Sequence, residues 1–233
     1  MTACSGSGSP AEPATTPAGT GTPQEPVTGP AGPTSAAGLA GAPGWDRVDL
    51  GFVSAYVLVR GDEATVVDTG TAGSADAIGA VLDAAGPGWA GVRHVVLTHH
   101  HPDHAGSLPE VLGRAASAKG YVGAADLARV RSPRPLVALD DGAEVFGLRM
   151  VATPGHTAGH MSAFDPATGV LVAGDALTNT DGLAGSNPQF TADAAAATAS
   201  VRTMAGLAVT TVLFGHGDPL RDASSALKKL AGL

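Results

Sequence analysis

Five short apolar runs in this chain each end on an acid or a histidine. Val66-Val67 leads into Asp68, and Val95-Val96-Leu97-Thr98 leads into His99. The run from Met150 closes at Gly155 before His156, Leu171-Val172-Ala173-Gly174 before Asp175, and Val212-Leu213-Phe214-Gly215 before His216. In sheet-based proteins ligands gather where strands end, because loops there present side chains over a rigid frame. A satisfied core histidine accounts for any one of these positions but not for the set. The chain is therefore expected to fold around sheets whose strand ends converge on a shared site.

The rest of the pattern places those runs. Residues 53–59 and 64–67 read as strands around the turn-like Gly61-Asp62. Ser74 reads as the N-cap of a helix with Ile78, Val81, Leu82 and Ala85 at helical spacing, stopped by Gly86-Pro87-Gly88. A strand over 92–97, a helix over 108–116, and strands over 136–138, 145–152 and 170–173 follow. Thr191 is expected to cap an Ala-rich helix ending near Gly206, ahead of a last strand, 209–214, and a last helix, 222–230. Several strands join by turns too short for a crossover helix, which points to mixed sheets covered by helices.

Composition bounds the function. The 233 residues suit one large domain or two small ones, and 44 % hydrophobic residues suffice for a sizeable core. Against 21 Asp+Glu there are 13 Lys+Arg, a net charge of −8, so no basic stripe marks a nucleic-acid partner. Residues 1–43, almost wholly Ser, Gly, Pro, Thr and Ala, read as a disordered tail, leaving 44–233 as the folded domain. Cys4 is the single cysteine, so a disulfide within the chain is excluded and any metal site uses nitrogen and oxygen ligands. No apolar run approaches the roughly 18 residues of a transmembrane helix. As written, the chain is expected in the cytoplasm. The alternative is a membrane-anchored lipoprotein, because Met1-Thr2-Ala3-Cys4-Ser5-Gly6 looks like the end of a lipoprotein cleavage site with Cys4 as the lipidated residue. That alternative requires a start upstream.

Four of the eight histidines, His99, His100, His101 and His104, fall within 98–104. In extended backbone His99 and His101 point to one side, so they can bind one metal ion together, and His100 points to the other. Pro102 then breaks the strand, which lets Asp103 and His104 turn toward a second ion.

His99-x-His101-x-Asp103-His104, with His156, Asp175 and His216 downstream, is similar to the metallo-β-lactamase-fold superfamily over roughly 45–233. The resemblance implies an α+β fold, a four-layer αββα sandwich of two mixed β-sheets flanked by helices. It implies two divalent ions, zinc by default, with iron or manganese compatible. His99, His101 and His156 would hold the first, Asp103, His104 and His216 the second, and Asp175 would bridge them. Asp68 matches an acid that orients ligands, and His160 matches a supporting histidine outside the metal set. His94 and His100 are assigned no catalytic role. Ser54 stands where many relatives carry Asn.

The implied chemistry is attack of a metal-bound hydroxide on an ester, thioester or lactone carbonyl, with Asp103 both ligating and orienting the nucleophile. The substrate would be a small carbonyl compound, and nothing in the chain dictates an oligomeric state. Asp175 argues against β-lactam hydrolysis, since β-lactamases generally lack that bridging acid. Glyoxalase II matches at all seven ligands, although few residues follow His216 to form that enzyme's helical thioester-binding region. Quorum-quenching lactonases share the ligands, but 179–190 lacks their usual tyrosine. The alternatives are a mononuclear iron oxygenase like the persulfide dioxygenases, or a metal-binding protein without catalysis. Pocket walls are expected from Phe52-Val53, 131–135 and 179–190, the last with Gly182, Gly185 and Pro188 as a mobile flap.

Overall fold

The computed structural model describes residues 1–3, 39 and 42–233. Cys4 and most of the stretch read as a tail lie outside the described residues. Near the end of that stretch, Leu39 and Ala42 are held to the start of the fold by Leu39 N–H donating to the Trp45 carbonyl, 2.8 Å, and Ala42 is fully buried.

The first sheet contains β1 (Trp45–Asp49), β2 (Ser54–Arg60), β3 (Glu63–Val67), β4 (Val92–Val96), β5 (Lys119–Gly123) and β6 (Val137–Leu139), in that spatial order. The first three pair antiparallel, and β3 through β6 pair parallel. The second sheet starts with β7 (Glu144–Val145), β8 (Leu148–Ala152), β9 (Met161–Asp165) and β10 (Val170–Gly174). A two-stranded ribbon, β11 (Leu177–Thr178) with β12 (Ala184–Gly185), projects after β10. The second sheet is completed by β13 (Thr211–Phe214), parallel to β10, and β14 (Leu220–Arg221). Helices α1 (Ala75–Ala85) and α2 (Gly88–Gly91) link β3 to β4, and α3 (Pro102–Ala105) and α4 (Leu108–Arg114) link β4 to β5. The later helices are α5 (Ala194–Ala205), before β13, and α6 (Ser224–Leu230), at the end of the chain.

Strand periodicity explains the layering. Successive side chains leave a strand on opposite faces, so each apolar run feeds two cores. Val66 and Val95 join Ile78, Leu82 and Leu112 under the helices of the first sheet. Their neighbours Val67 and Val96 join Trp45, Leu148 and Leu213 between the sheets. On β10, Val172 faces that central core while Leu171 packs with Met204 and Leu227 beneath the second pair of helices. Three cores separate four layers, and the fold is the α+β sandwich of two mixed sheets flanked by helices.

Several local expectations are corrected. The 145–152 run is a hairpin, because Phe146 (φ 55) and Gly147 (φ 75) turn the chain between β7 and β8. The Ala-rich helix is capped by Asp193, which accepts from Ala196 N–H, rather than by Thr191. Ser74 precedes α1 without a side-chain cap bond. Among the longer strands, β1, β9 and the glycine-containing β5 were not expected. In β5, Gly120 and Gly123 weaken the local strand signal, yet Gly123 lies so close to Gly159 that a side chain would collide with its carbonyl. No helix among the described residues is long and apolar enough to cross a membrane.

Candidate metal centre

Every residue expected at the site lies at one edge of the sandwich, where β3, β4, β8, β10 and β13 end. His101 is extended (φ −63, ψ 149) before Pro102, which starts α3 and swings Asp103 and His104 back across the strand end. Three sets of side chains bring one potential ligand atom each to within 4.8 Å of one another: His99 with His101 and His156, His99 with His104 and Asp175, and Asp103 with His104 and His216. Asp175 sits between histidines from separate loops. Its carboxylate oxygens are 3.2 Å from His104 Nε2, 3.4 Å from His156 Nε2 and 3.3 Å from His216 Nε2. Asp103 Oδ2 lies 3.3 Å from His216 Nε2.

Asp68 organises this cluster from beneath. It closes β3 in the left-handed region, φ 63, uncommon for a residue other than glycine. Its carboxylate accepts from Thr98 N–H at 2.7 Å, from Thr98 Oγ1 at 2.8 Å and from His104 Nδ1 at 2.9 Å. Because the Thr98 hydroxyl donates to Asp68, Thr98 Oγ1 accepts from His99 Nδ1, 3.0 Å away. Both rings are thereby set with Nε2 toward the site. His216 is set the same way by donating from Nδ1 to the Phe52 carbonyl, 2.6 Å.

Charge follows from those contacts. Burial, reinforced by His104 and His160, holds His99 well below the ordinary imidazole range. Burial also lowers His101 and takes His156 down to about 4. His104 is raised well above its ordinary value because, against the opposing effect of burial, Asp175 and Asp68 both favour its charged form. Hydrogen bonds to Asp103 and Asp175 raise His216 to about 10. Despite burial, Asp175 is held well below the usual carboxylate range by His104 and His216. The acids of the cluster are thus balanced by His104 and His216, and protons and metal ions compete for such ligands.

His160 is buried and neutral, taken by burial down to about 3. Its Nε2 accepts from Asp175 N–H at 3.1 Å and its Nδ1 lies 2.8 Å from Thr153 Oγ1, so both ring nitrogens are occupied. His100 turns away from the cluster to Asp126, 2.9 Å. Asp126 was not singled out from sequence. It is 1 % exposed and also accepts from Thr157 Oγ1 (2.7 Å) and Gly159 N–H (3.0 Å), tying the loop of His99 and His101 to that of His156. A lone acid after two alanines carries no pattern that would have marked it. Gly215 serves by having no side chain: a Cβ there would meet Asp175 Oδ1 and lie 2.6 Å from His104 Cε1.

A cavity of about 640 Å³ opens over the cluster, walled by Phe52, Leu177, Thr178, Thr180, Asn187 and Phe190. Of the expected walls, Phe52 and the 179–190 segment supply it. Val53 is buried, and residues 132–135 line a separate depression with Leu127 and Leu136. Arg134 is drawn away there by the carbonyls of Ala115, Ala116 and Ala118. The segment expected as a flap comprises the β12 side of the ribbon and a 3₁₀ turn over Pro188–Phe190, and its Ser186 Oγ lies 3.1 Å from His156 Nδ1.

Comparison with known proteins agrees with this architecture. The chain is 27 % identical over 208 residues to the uncharacterized protein YobT of Bacillus subtilis, covering 76 % of this chain and 88 % of that one. It is 36 % identical over 136 residues to a hydroxyacylglutathione hydrolase of Pseudomonas putida, covering 54 % of this chain and 49 % of the relative. The chain thus spans about half the length of the hydroxyacylglutathione hydrolase it matches. Among solved structures, a metallo-beta-lactamase family protein of Thermus thermophilus superposes with a TM-score of 0.65 at 26 % identity, over 82 % of this chain and 79 % of that one. The sequence profile of the metallo-beta-lactamase superfamily matches residues 48–216, and the chain belongs to that superfamily.

Proposed function

We propose that the chain is a dinuclear metal-dependent hydrolase that opens an ester, thioester or lactone carbonyl. One observation carries the reading: His99 Nε2 is buried without a hydrogen bond, beside His104 Nε2 and Asp175 Oδ1, which face each other 3.2 Å apart. Leaving a buried ring nitrogen unsatisfied amid such a cluster is costly unless something else binds it. The donors are imidazole and carboxylate, which suit zinc and also accept iron or manganese. His99, His101 and His156 would hold one ion, Asp103, His104 and His216 the other, with Asp175 bridging. Two divalent cations supply Lewis-acid polarisation of a carbonyl and bring the pKa of water near neutrality.

The chain's own residues do the rest. Asp68 fixes His104 directly and His99 through Thr98, so both present a lone pair to the site. His160 holds the backbone of Asp175, and Asp126 holds the two loops that carry His99, His101 and His156. Asp103, at the cavity side and partly exposed, orients the attacking water and takes up its proton. The P. putida relative, named for a thioester substrate, supports acyl transfer to water as the reaction class.

Metal content and turnover test the proposal together. Two zinc ions per chain and chelator-sensitive hydrolysis of a panel of thioesters, lactones and aryl esters are expected. One iron per chain with oxygen uptake on a thiol-derived substrate would replace the reading with a mononuclear oxygenase. Bound metal with no turnover across the panel would leave a non-catalytic metal-binding protein.

A further inference from the structure

The walls of the cavity differ in character from its floor. The floor holds the acids and histidines of the metal centre, whereas the described wall residues carry no formal charge. Phe52, Leu177 and Phe190 are apolar, and Thr178, Thr180 and Asn187 are polar but uncharged. Phe52 is 65 % exposed and Phe190 63 % exposed, and they are the only exposed aromatic side chains among the described residues. They reach the same cavity from different parts of the chain: Phe52 from the turn between β1 and β2, and Phe190 from the 3₁₀ turn after β12. Exposing a large apolar side chain forgoes its burial, and a pair flanking a concave site is a surface on which a ligand can recover that burial.

An anionic group would find its partner elsewhere. Arg129 lies in a separate cleft of about 300 Å³ that shares His101, His156 and Phe190 with the main cavity. An anionic acyl chain would be directed to the smaller cleft, which Asp126 lines beside Arg129, and an uncharged one to the larger. The larger cavity, twice the volume and directly over Asp103, Asp175 and His216, is the one in contact with both proposed ion sites.

We infer that the acyl portion of the substrate is an uncharged, apolar chain or ring of medium size, seated between Phe52, Leu177 and Phe190. This rests on the hydrolase reading above and deepens it. Buried methylenes contribute about 0.8 kcal/mol each, about fourfold in kcat/KM per carbon while the cavity fills.

The test uses the zinc-loaded full chain and thioesters of one small neutral thiol, N-acetylcysteamine, bearing acetyl, octanoyl or glutaryl groups. Octanoyl is expected to exceed acetyl by at least about a hundredfold in kcat/KM, and glutaryl to gain nothing over acetyl. Phe190→Ala should reduce the octanoyl-to-acetyl ratio about tenfold, and Phe190→Ala with Phe52→Ala further, while the unfolding transition stays in place because both rings are largely exposed. Arg129→Ala should leave the ratio unchanged. Calorimetric titration with octanoate and glutarate gives a readout independent of turnover: octanoate should bind more tightly, and lose that advantage in the double variant. A flat acyl series, or a glutaryl preference that depends on Arg129, would overturn the inference with the hydrolase intact. No turnover of the three thioesters together with none of the matching aryl esters would remove the hydrolase reading, and the two titrations would still decide the character of the cavity.

Discussion

Two buried carboxylates in this fold, Asp165 and Asp175, have opposite fates. Arg60 and Asp165 end β2 and β9, which run antiparallel to the strands that deliver the candidate metal ligands, and Trp45 begins β1 opposite the end of β2. This places Asp165 at the far end of the sandwich. There, each oxygen has two donors: Arg60 Nη2 (2.9 Å) and Ala167 N–H (3.1 Å) on one, Trp45 Nε1 (3.3 Å) and Thr168 Oγ1 (2.9 Å) on the other. Arg60 also reaches the Phe146 carbonyl at 2.5 Å. Asp175, at the other end, has histidine nitrogens 3.2 to 3.4 Å from its oxygens, and His99 Nε2 in the same cluster is buried without a hydrogen bond. Fully satisfied polar groups lock the two sheets together at one edge; unsatisfied ones at the other leave capacity for a ligand. The interlocked knot and the candidate site thus lie at opposite ends of the same two sheets.

Four predictions try to break this division. The largest effect is expected from His101→Ala, which should abolish hydrolysis and take one metal ion per chain with it. Its unfolding midpoint in urea should stay close to that of the parent chain, and residual full turnover would rule out the first ion site. Asp165→Ala should do the reverse. Leaving Trp45 and Arg60 without their acceptor should cost about 2–3 kcal/mol, read as a lower urea midpoint. Metal content and kcat of the folded fraction should be unchanged, and a loss of activity would show that the two ends are coupled.

Asp68→Asn sits between the extremes. Asn tolerates the left-handed backbone, so the change removes the charge while sparing the turn. Metal affinity or turnover should fall about 10- to 100-fold, with both ions still able to bind at high concentration. The smallest effect concerns pH. Burial opposes ionisation of Asp165, but bonds from Thr168, Ala167 and Arg60 outweigh it and hold the carboxyl below its usual value. A depressed folded-state pKa contributes stability that is fully present above the unfolded value, near 3.9, and is lost as pH falls through the folded value. The stability gap between the parent chain and Asp165→Asn should therefore be constant from neutral pH down to about 5 and narrow below about 4. A gap that instead changes between about pH 6 and 8 would point to a histidine rather than Asp165.

The two ends also differ in how legible they were. Thr98 to His104 stood out because chemistry-bearing residues were adjacent in the chain, and the strand-end rule connected it to Asp68, His156, Asp175 and His216. The Arg60–Asp165–Trp45 knot has no such density; its members are 105 and 120 positions apart in the hydrogen bonds that join them. Asp126 escaped for the same reason. The strands β5 and β9 were missed because pairing with neighbours on both sides, rather than local propensity, holds them as strands.

By itself, then, the sequence determined the alternation of apolar runs with turns, and the residue types waiting at the ends of those runs. It also determined which residues could face a common site, because strand period and the Pro102 break are local properties. Only the tertiary structure decided which nitrogen of each ring faces inward, since that depends on Asp68 reaching Thr98 and His104, and on the Phe52 carbonyl reaching His216. It alone showed that Phe52 and Phe190 share a cavity and that 131–135 does not. Hydrogen bonds and cavities are made between residues distant in the chain, and no local pattern encodes which of them will meet.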